Sequence, residues 1–220
     1  MQIHRLSSKN TILNTFLSEI RDKSIQKDRL RFRKNIYRVS QILCYEMSAY
    51  LDFREQDIKT TLGSKTVELA TQDLVVCSIL RAGLSMHQAV LDSFDQADNA
   101  FVSAYRKHDA DDPSQFEIII EYLACPDLEG KTLVLVDPML ASGKSFTLAF
   151  EALLTYGQPK SIHLLSIIAA KEGVDYVSEK FPKGTNLWLG DLDPELNDYG
   201  YIVPGLGDAG DLAFGTKLQH

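Results

Sequence analysis

The sequence predicts an α/β fold, a parallel sheet flanked by helices, and three observations carry that reading. First, the runs Leu74–Leu80, Thr132–Val136 and 161–169 are short and continuously apolar, as strands buried on both faces are. Second, the segment 146–156, between the last two runs, carries Leu148, Ala152 and Leu153 at helical spacing, which makes a strand–helix–strand unit. Third, the chain opens differently: roughly the first 55 residues read as a helical lead, with Ile36, Val39, Leu43, Met47 and Tyr50 in steps of three and four along one face.

The remaining elements follow in order. Residues 21–34 (RDKSIQKDRLRFRK) are charge-dense. Such a run is most simply a solvated face, and the sharper alternative is a surface for an anion or a partner. Residues 100–105 and 187–189 are further strand candidates. The stretch 117–123 (EIIIEYL) follows the polar turn Asp109-Ala110-Asp111-Asp112-Pro113 and reads as one arm of a hairpin beside the sheet. No repeat, low-complexity tract or Gly/Ser-rich linker divides the chain, so residues 1–220 read as one domain, with 1–55 as its helical lead.

Composition narrows the function classes. The 220 residues are 45% hydrophobic and 24% charged, the balance of a soluble globular protein. Thirty acidic against 23 basic residues leave a net charge of −7, which argues against a sequence-independent grip on nucleic acid. The three cysteines, Cys44, Cys77 and Cys125, are far apart and never in a C-x-x-C pair, so they read as buried hydrophobes in a reducing compartment. The opening MQIHRLSSKN lacks the apolar run of a signal peptide, and the longest apolar stretch, 162–170, is far short of the ~20 residues that span a bilayer. The expectation is a cytoplasmic protein with no membrane and no nucleic-acid partner.

Ligands of open α/β sheets bind beyond the carboxyl ends of the strands, and three loops there carry the chemistry. The first, VDPMLASGKS over 136–145, ends in the Gly-Lys-Ser of a P-loop. The earlier glycine of that motif would stand at 138, where this chain has Pro138; proline lacks an N–H and fixes φ near about −65°, so only the tail matches. A strand instead delivers Asp137 to the sheet edge, and the chain turns through Ala141, Ser142 and Gly143 into a helix starting near Lys144 or Ser145. A helix N-terminus carries roughly half a positive charge and suits an anion. The Ser142 and Ser145 hydroxyls can donate to phosphate, whereas the acceptor-only carboxylate of Asp137 suits a sugar diol. Together they describe a sugar phosphate, although an ordinary helix capped by Ser142 would read the same way.

The second loop, Ser78 to Leu84, places Arg81-Ala82-Gly83 at a strand end, where an arginine can fork onto a diphosphate. The third, GYIVPGLGDAGD over 200–211, is too rich in glycine for a helix or central strand and offers backbone groups of the kind a planar base requires.

With these stretches the chain resembles the uracil phosphoribosyltransferase family. Its phosphoribosyl loop, usually DPMLATGGS, stands here as DPMLASGKS; its LRAG stands at Leu80-Arg81-Ala82-Gly83; its YR at Tyr105-Arg106; and its GYIIPGLGDAGD as GYIVPGLGDAGD, followed by Phe214-Gly215-Thr216-Lys217. Cys44-Tyr45-Glu46 is similar too, and the resemblance covers nearly the whole chain. It implies the type I phosphoribosyltransferase fold, a Rossmann-like parallel sheet with a β-hairpin or hood. It also implies a pyrimidine-salvage transferase making uridine monophosphate and diphosphate from uracil and phosphoribosyl pyrophosphate (PRPP).

The family's roles, carried residue by residue, put PRPP on Arg81, Arg106 and the run Asp137, Pro138, Met139, Leu140, Ala141, Ser142, Gly143, Lys144 and Ser145. Uracil falls on Ile202, Gly207, Asp208 and Ala209, largely through their backbone. Asp208 also faces PRPP through magnesium-bound water, which makes Asp137, Arg81 and Asp208 the catalytic candidates. The resemblance implies Mg2+ carried by the substrate with no direct protein ligand, a homodimer or higher oligomer, and GTP as a candidate effector. Two positions depart from the pattern. Lys144 stands where the family has a second glycine, and Lys107-His108-Asp109 stands where it often has acidic NEE. Lys144 is expected to take the first helical turn and to point outward or add charge near the 5-phosphate. The competing reading is a catalytically weak regulator or ligand sensor on the same fold.

Overall fold

The computed structural model describes residues 1–71, 73–108 and 116–217; the side chains of 104–119 lie outside that description, as does the turn expected at 109–113. In chain order the elements are β1 (Gln2–Arg5), α1 (Leu13–Arg21), α2 (Arg29–Ser48), β2 (Phe53–Thr60), β3 (Gly63–Ala70), β4 (Leu74–Leu80), α3 (Leu84–Leu91), β5 (Asp98–His108) and β6 (Phe116–Ala124). They continue with β7 (Thr132–Val136), β8 (Met139–Leu140), α4 (Lys144–Leu153), β9 (Ser161–Ala170), α5 (Lys171–Lys180), β10 (Asn186–Asp193), β11 (Glu195–Leu196), β12 (Ile202–Val203) and α6 (Ala209–Phe214).

The main sheet runs β1-β10-β9-β7-β4-β5-β6, with β8 paired to β9; every pairing is parallel except β5 with β6. The apolar runs read from the sequence are its central strands, and period-two alternation divides their side chains between two cores. On β7, Val134 and Val136 join α1, α2 and α3, with Ile36, Val39, Leu43 and Met86 fully covered. Leu133 and Leu135 join α4 and α5 on the other face, with Phe146, Ala149, Leu153 and Val177. From β4 the chain steps to β5 on one side, while β7 and β9 lie on the other. That reversal is a topological switch point, and it opens a crevice at the carboxyl ends of β4 and β7.

The structure differs from the sequence reading in four places. The lead is not helical throughout: β1 adds an edge strand against β10, and α2 ends at Ser48. Four residues are too few to show a period, so the strand is fixed by its partner. The stretch after α2 is the β2–β3 hairpin, in which both faces are largely exposed and the alternation therefore vanishes. The helical stretch 146–156 is not α-helical to its end: α4 starts at Lys144, as read from the loop before it, and tightens into a 3-10 turn at Leu154–Tyr156. The glycine-rich stretch 200–211 was expected to hold no helix, yet Ala209, Gly210 and Asp211 are the first turn of α6. That helix forms because the Asp208 carboxylate caps it, accepting the Asp211 N–H at 2.9 Å.

Candidate functional site

The three loops converge on the crevice. After β7 the chain does not simply turn. The Asp137 N–H donates to Leu165 O, the Pro138 carbonyl accepts the N–H groups of Ile167 and Ile168, and β8 continues the ladder along β9. Pro138, Leu140 and Gly143 are buried, and Met139 and Ala141 pack on the core. These residues form the frame of the loop. Asp137, Ser142 and Ser145 are half-buried and Lys144 is exposed, so they are the members able to face a ligand.

The cap is not Ser142. Gly143 stands at the N-cap with φ +79°, and no side chain caps α4, which leaves its first amides to serve an anion. The absent side chain of Gly143 makes room for α5. A Cβ there would lie 2.8 Å from Val177 Cγ1 and 2.9 Å from Tyr176 Cδ1. Gly173, which the sequence reading missed, completes this seat: a Cβ on it would lie 2.0 Å from the Ala141 carbonyl. No short-range pattern marks such a glycine, because its constraint is a chain 32 residues away. Lys144 occupies the first helical position, so the second glycine of the family pattern is not required by φ here.

Arg81 follows β4. A Cβ on Gly83 would lie 2.9 Å from the Val136 carbonyl, so the loop sits directly against the end of β7. Arg81 Nη2 donates to Asp211 Oδ1 at 3.2 Å and to the Gly215 carbonyl at 2.9 Å. A Cβ on Gly210 would lie 3.9 Å from Ala82 Cβ. The first and third loops therefore both touch the second. Arg106 lies on β5 opposite Ile118, with its side chain outside the described part.

In the third loop Ile202 and Ala209 are buried, Asp208 is half-buried, and Gly207 is exposed with φ +101°. Beneath it lies a polar cluster that sequence reasoning also missed. Arg21, at the end of α1, forks onto both carboxylate oxygens of Asp193 at 2.7 and 2.8 Å and reaches Asp191 at 2.9 Å. Burial opposes the charge on Arg21, but Asp193 and Asp191 hold its pKa above the ordinary arginine value. Burial likewise works against the Asp191 carboxylate, while Ser7, the Leu192 N–H and Arg21 keep its pKa below the usual range.

The donors suit an anionic sugar ligand. Among the described residues no group of three or more His, Cys, Asp or Glu could hold a metal by itself. The half-buried Asp208 carboxylate fits the water shell of a magnesium ion that arrives on phosphates, since such an ion keeps several waters. Nor is a thiol poised to act as nucleophile, because burial pushes Cys44 up to about 12 and Cys125 up to about 11, and raises Cys77 as well.

Comparison with known proteins agrees with this geometry. A family model described as uracil phosphoribosyltransferase matches residues 7–216. The protein of that name from Porphyromonas gingivalis is 47% identical over 218 residues, covering 99% of this chain and 100% of its own. The one from Methanothermobacter thermautotrophicus is 38% identical over 208 residues, covering 94% and 93%. Among solved structures, the AQ2163 protein from Aquifex aeolicus superposes with a TM-score of 0.86 at 30% identity, over 99% of this chain and 100% of that one.

Proposed function

The chain belongs to the uracil phosphoribosyltransferase family and is a pentosyltransferase, and on that premise we propose how this chain joins uracil to PRPP. The observation that carries the reading is the convergence of a phosphate-type loop, an arginine loop and a glycine-rich loop on one switch-point crevice.

The uncapped start of α4, with Ser142 and Ser145, receives the 5-phosphate, and the frame residues Pro138 to Ala141 hold that loop in place. Asp137 accepts from the ribose hydroxyls. Arg81, with Arg106, holds the diphosphate, and Lys144 adds charge near the 5-phosphate. Ile202, Gly207, Asp208 and Ala209 receive the base. As C1 loses diphosphate, positive charge develops on the ribose and negative charge on the leaving group, and uracil N1 attacks C1 while its N1–H proton passes to the departing diphosphate or to water. The protein's contribution is to hold the two reactants in line and to place Arg81 where negative charge grows. Asp208 would hold a substrate-borne magnesium ion, which would supply further charge neutralisation.

The chain acts in this reading as one catalytic domain in the cytoplasm and as a homodimer or higher oligomer. In support of oligomerisation, among the described residues β2 and β3 pair only with each other, and an isolated hairpin is marginal in water. Phe53, Leu62 and Leu69 on it are 48%, 100% and 39% exposed, apolar surface that a second copy would cover. GTP is retained as an effector to be tested.

The test is product formation from Mg2+, PRPP and, separately, uracil, cytosine, adenine, guanine, hypoxanthine and orotate, with and without GTP. Uridine monophosphate from uracil alone is the expected result. No nucleotide from any base would replace the enzyme with a sensor.

A further inference from the structure

Most of the charge-dense stretch 21–34 is exposed, as a solvated face is, but Arg21, Gln26 and Arg33 are half-buried. Three of its side chains donate to carbonyls of the C-terminal loop: Arg21 to Gly205 at 2.9 Å, Gln26 to Leu206 at 3.1 Å and Arg33 to Ala213 at 2.7 Å. The Gly205 N–H donates to Asp193 Oδ2 at 3.0 Å, the same buried carboxylate that Arg21 grips. Gln26 also donates to the Ile20 carbonyl, which ties the loop to the end of α1. Gly205 and Gly207 stand at φ +57° and +101°. Two glycines in the left-handed region lend an arc little stiffness of its own, so its shape must be imposed from outside. These three clamps fall on either side of 207–209, where Asp208 bonds within the loop itself, its carboxylate accepting the Asp211 N–H and its carbonyl the Leu212 N–H.

We propose that Arg21, Gln26 and Arg33 are positioning residues for base recognition. They hold the backbone from Gly205 to Ala213, and so set where Ile202 and Gly207, Asp208 and Ala209 meet the base. This rests on the uracil reading above. The affinity for uracil is then written partly in the N-terminal segment, far in sequence from the loop that touches it.

Two readouts test it. Michaelis constants for uracil and PRPP are measured in Arg21→Met, Arg21→Lys, Gln26→Ala and Arg33→Ala. The expected result is a rise of about tenfold in the uracil constant, the scale of one lost charged or well-aligned hydrogen bond, with the PRPP constant little changed. Arg21→Lys should recover part of the Arg21→Met loss. Arg21→Met leaves Asp193 buried without its cation and can unfold the chain, so Gln26→Ala and Arg33→Ala carry the test in that event. Amide hydrogen exchange of 205–213, which needs no substrate, should quicken in the same variants while β4 and β7 stay protected. Unchanged exchange, or both constants rising together, would overturn the positioning role. A wild type that makes no uridine monophosphate would sink the functional reading instead, and the exchange result would still decide whether 21–33 holds the loop.

Discussion

The two loops that meet in the crevice are supported in opposite ways. The 137–145 loop is held by backbone: β8 continues the sheet, Pro138 accepts two amides from β9, and Gly173 lets Ala141 lie on α5. The 202–215 loop is held by side chains, with Arg21, Gln26, Arg33 and Arg81 each donating to one of its carbonyls. A ladder is shared by many bonds and yields little to one substitution, whereas a side-chain clamp hangs on a few named groups. The comparison therefore places tolerance to side-chain substitution at the phosphate end, apart from its packing glycines and the groups that touch substrate, and sensitivity at the base end.

The sharpest expected effect is at such a group. Asp137→Asn keeps the size and removes the charge, and turnover should fall by about 10² or more; near-normal turnover in steady-state assays would remove Asp137 from the mechanism. Gly173→Ala attacks the backbone support. With a Cβ 2.0 Å from the Ala141 carbonyl, the variant should lose about 1–3 kcal/mol by urea unfolding, the cost of overpacking.

Acid tests the sheet beneath that loop. His163 on β9 accepts the Trp188 Nε1–H at 3.1 Å, and burial, helped by His4, pushes its pKa down to about 4. The fold therefore prefers the neutral ring, and the unfolded chain takes up the proton first as pH falls. Its contribution is complete above the unfolded value of about 6.5 and is lost as pH drops toward 4, roughly 2 kcal/mol by pH 5. The urea midpoint should fall between pH 7 and 5 by more in the wild type than in His163→Gln; equal falls would discard this role.

Arg81 belongs to both sides of the comparison, since it also bonds Asp211 and Gly215. Arg81→Ala should raise the PRPP Michaelis constant by about tenfold and the uracil constant by less, and an unchanged PRPP constant would reject the diphosphate role. Lys144→Gly should be the mildest change, because Lys144 is an exposed first-turn residue at a position that does not need positive φ. A loss beyond about tenfold, the scale of a lost charged contact, would mean that the lysine touches substrate.

What the sequence made legible follows the same division. Leu74–Leu80 and Thr132–Val136 announce themselves because burial on both faces leaves almost only apolar residues, with Ser78 and Thr132 the exceptions, and the loops after them inherit their position from the strands. β2 and β3 stayed hidden because neither face is covered. α6 stayed hidden because its glycine content argues against a helix, while its Asp208 cap is a single side chain. Arg21 could not be told from its charged neighbours, since what distinguishes it is Asp193, 172 residues away. Local patterns report local physics, and the supports of the base loop are almost all non-local.

The division of labour is tested most directly by crossing the two supports in one assay, measuring both Michaelis constants in Gly173→Ala and in Gln26→Ala. Gly173→Ala should raise the PRPP constant and spare uracil, and Gln26→Ala should do the reverse. If each variant raises both constants by the same factor, the crevice responds as one unit and the separation of a backbone-held phosphate end from a side-chain-held base end is wrong.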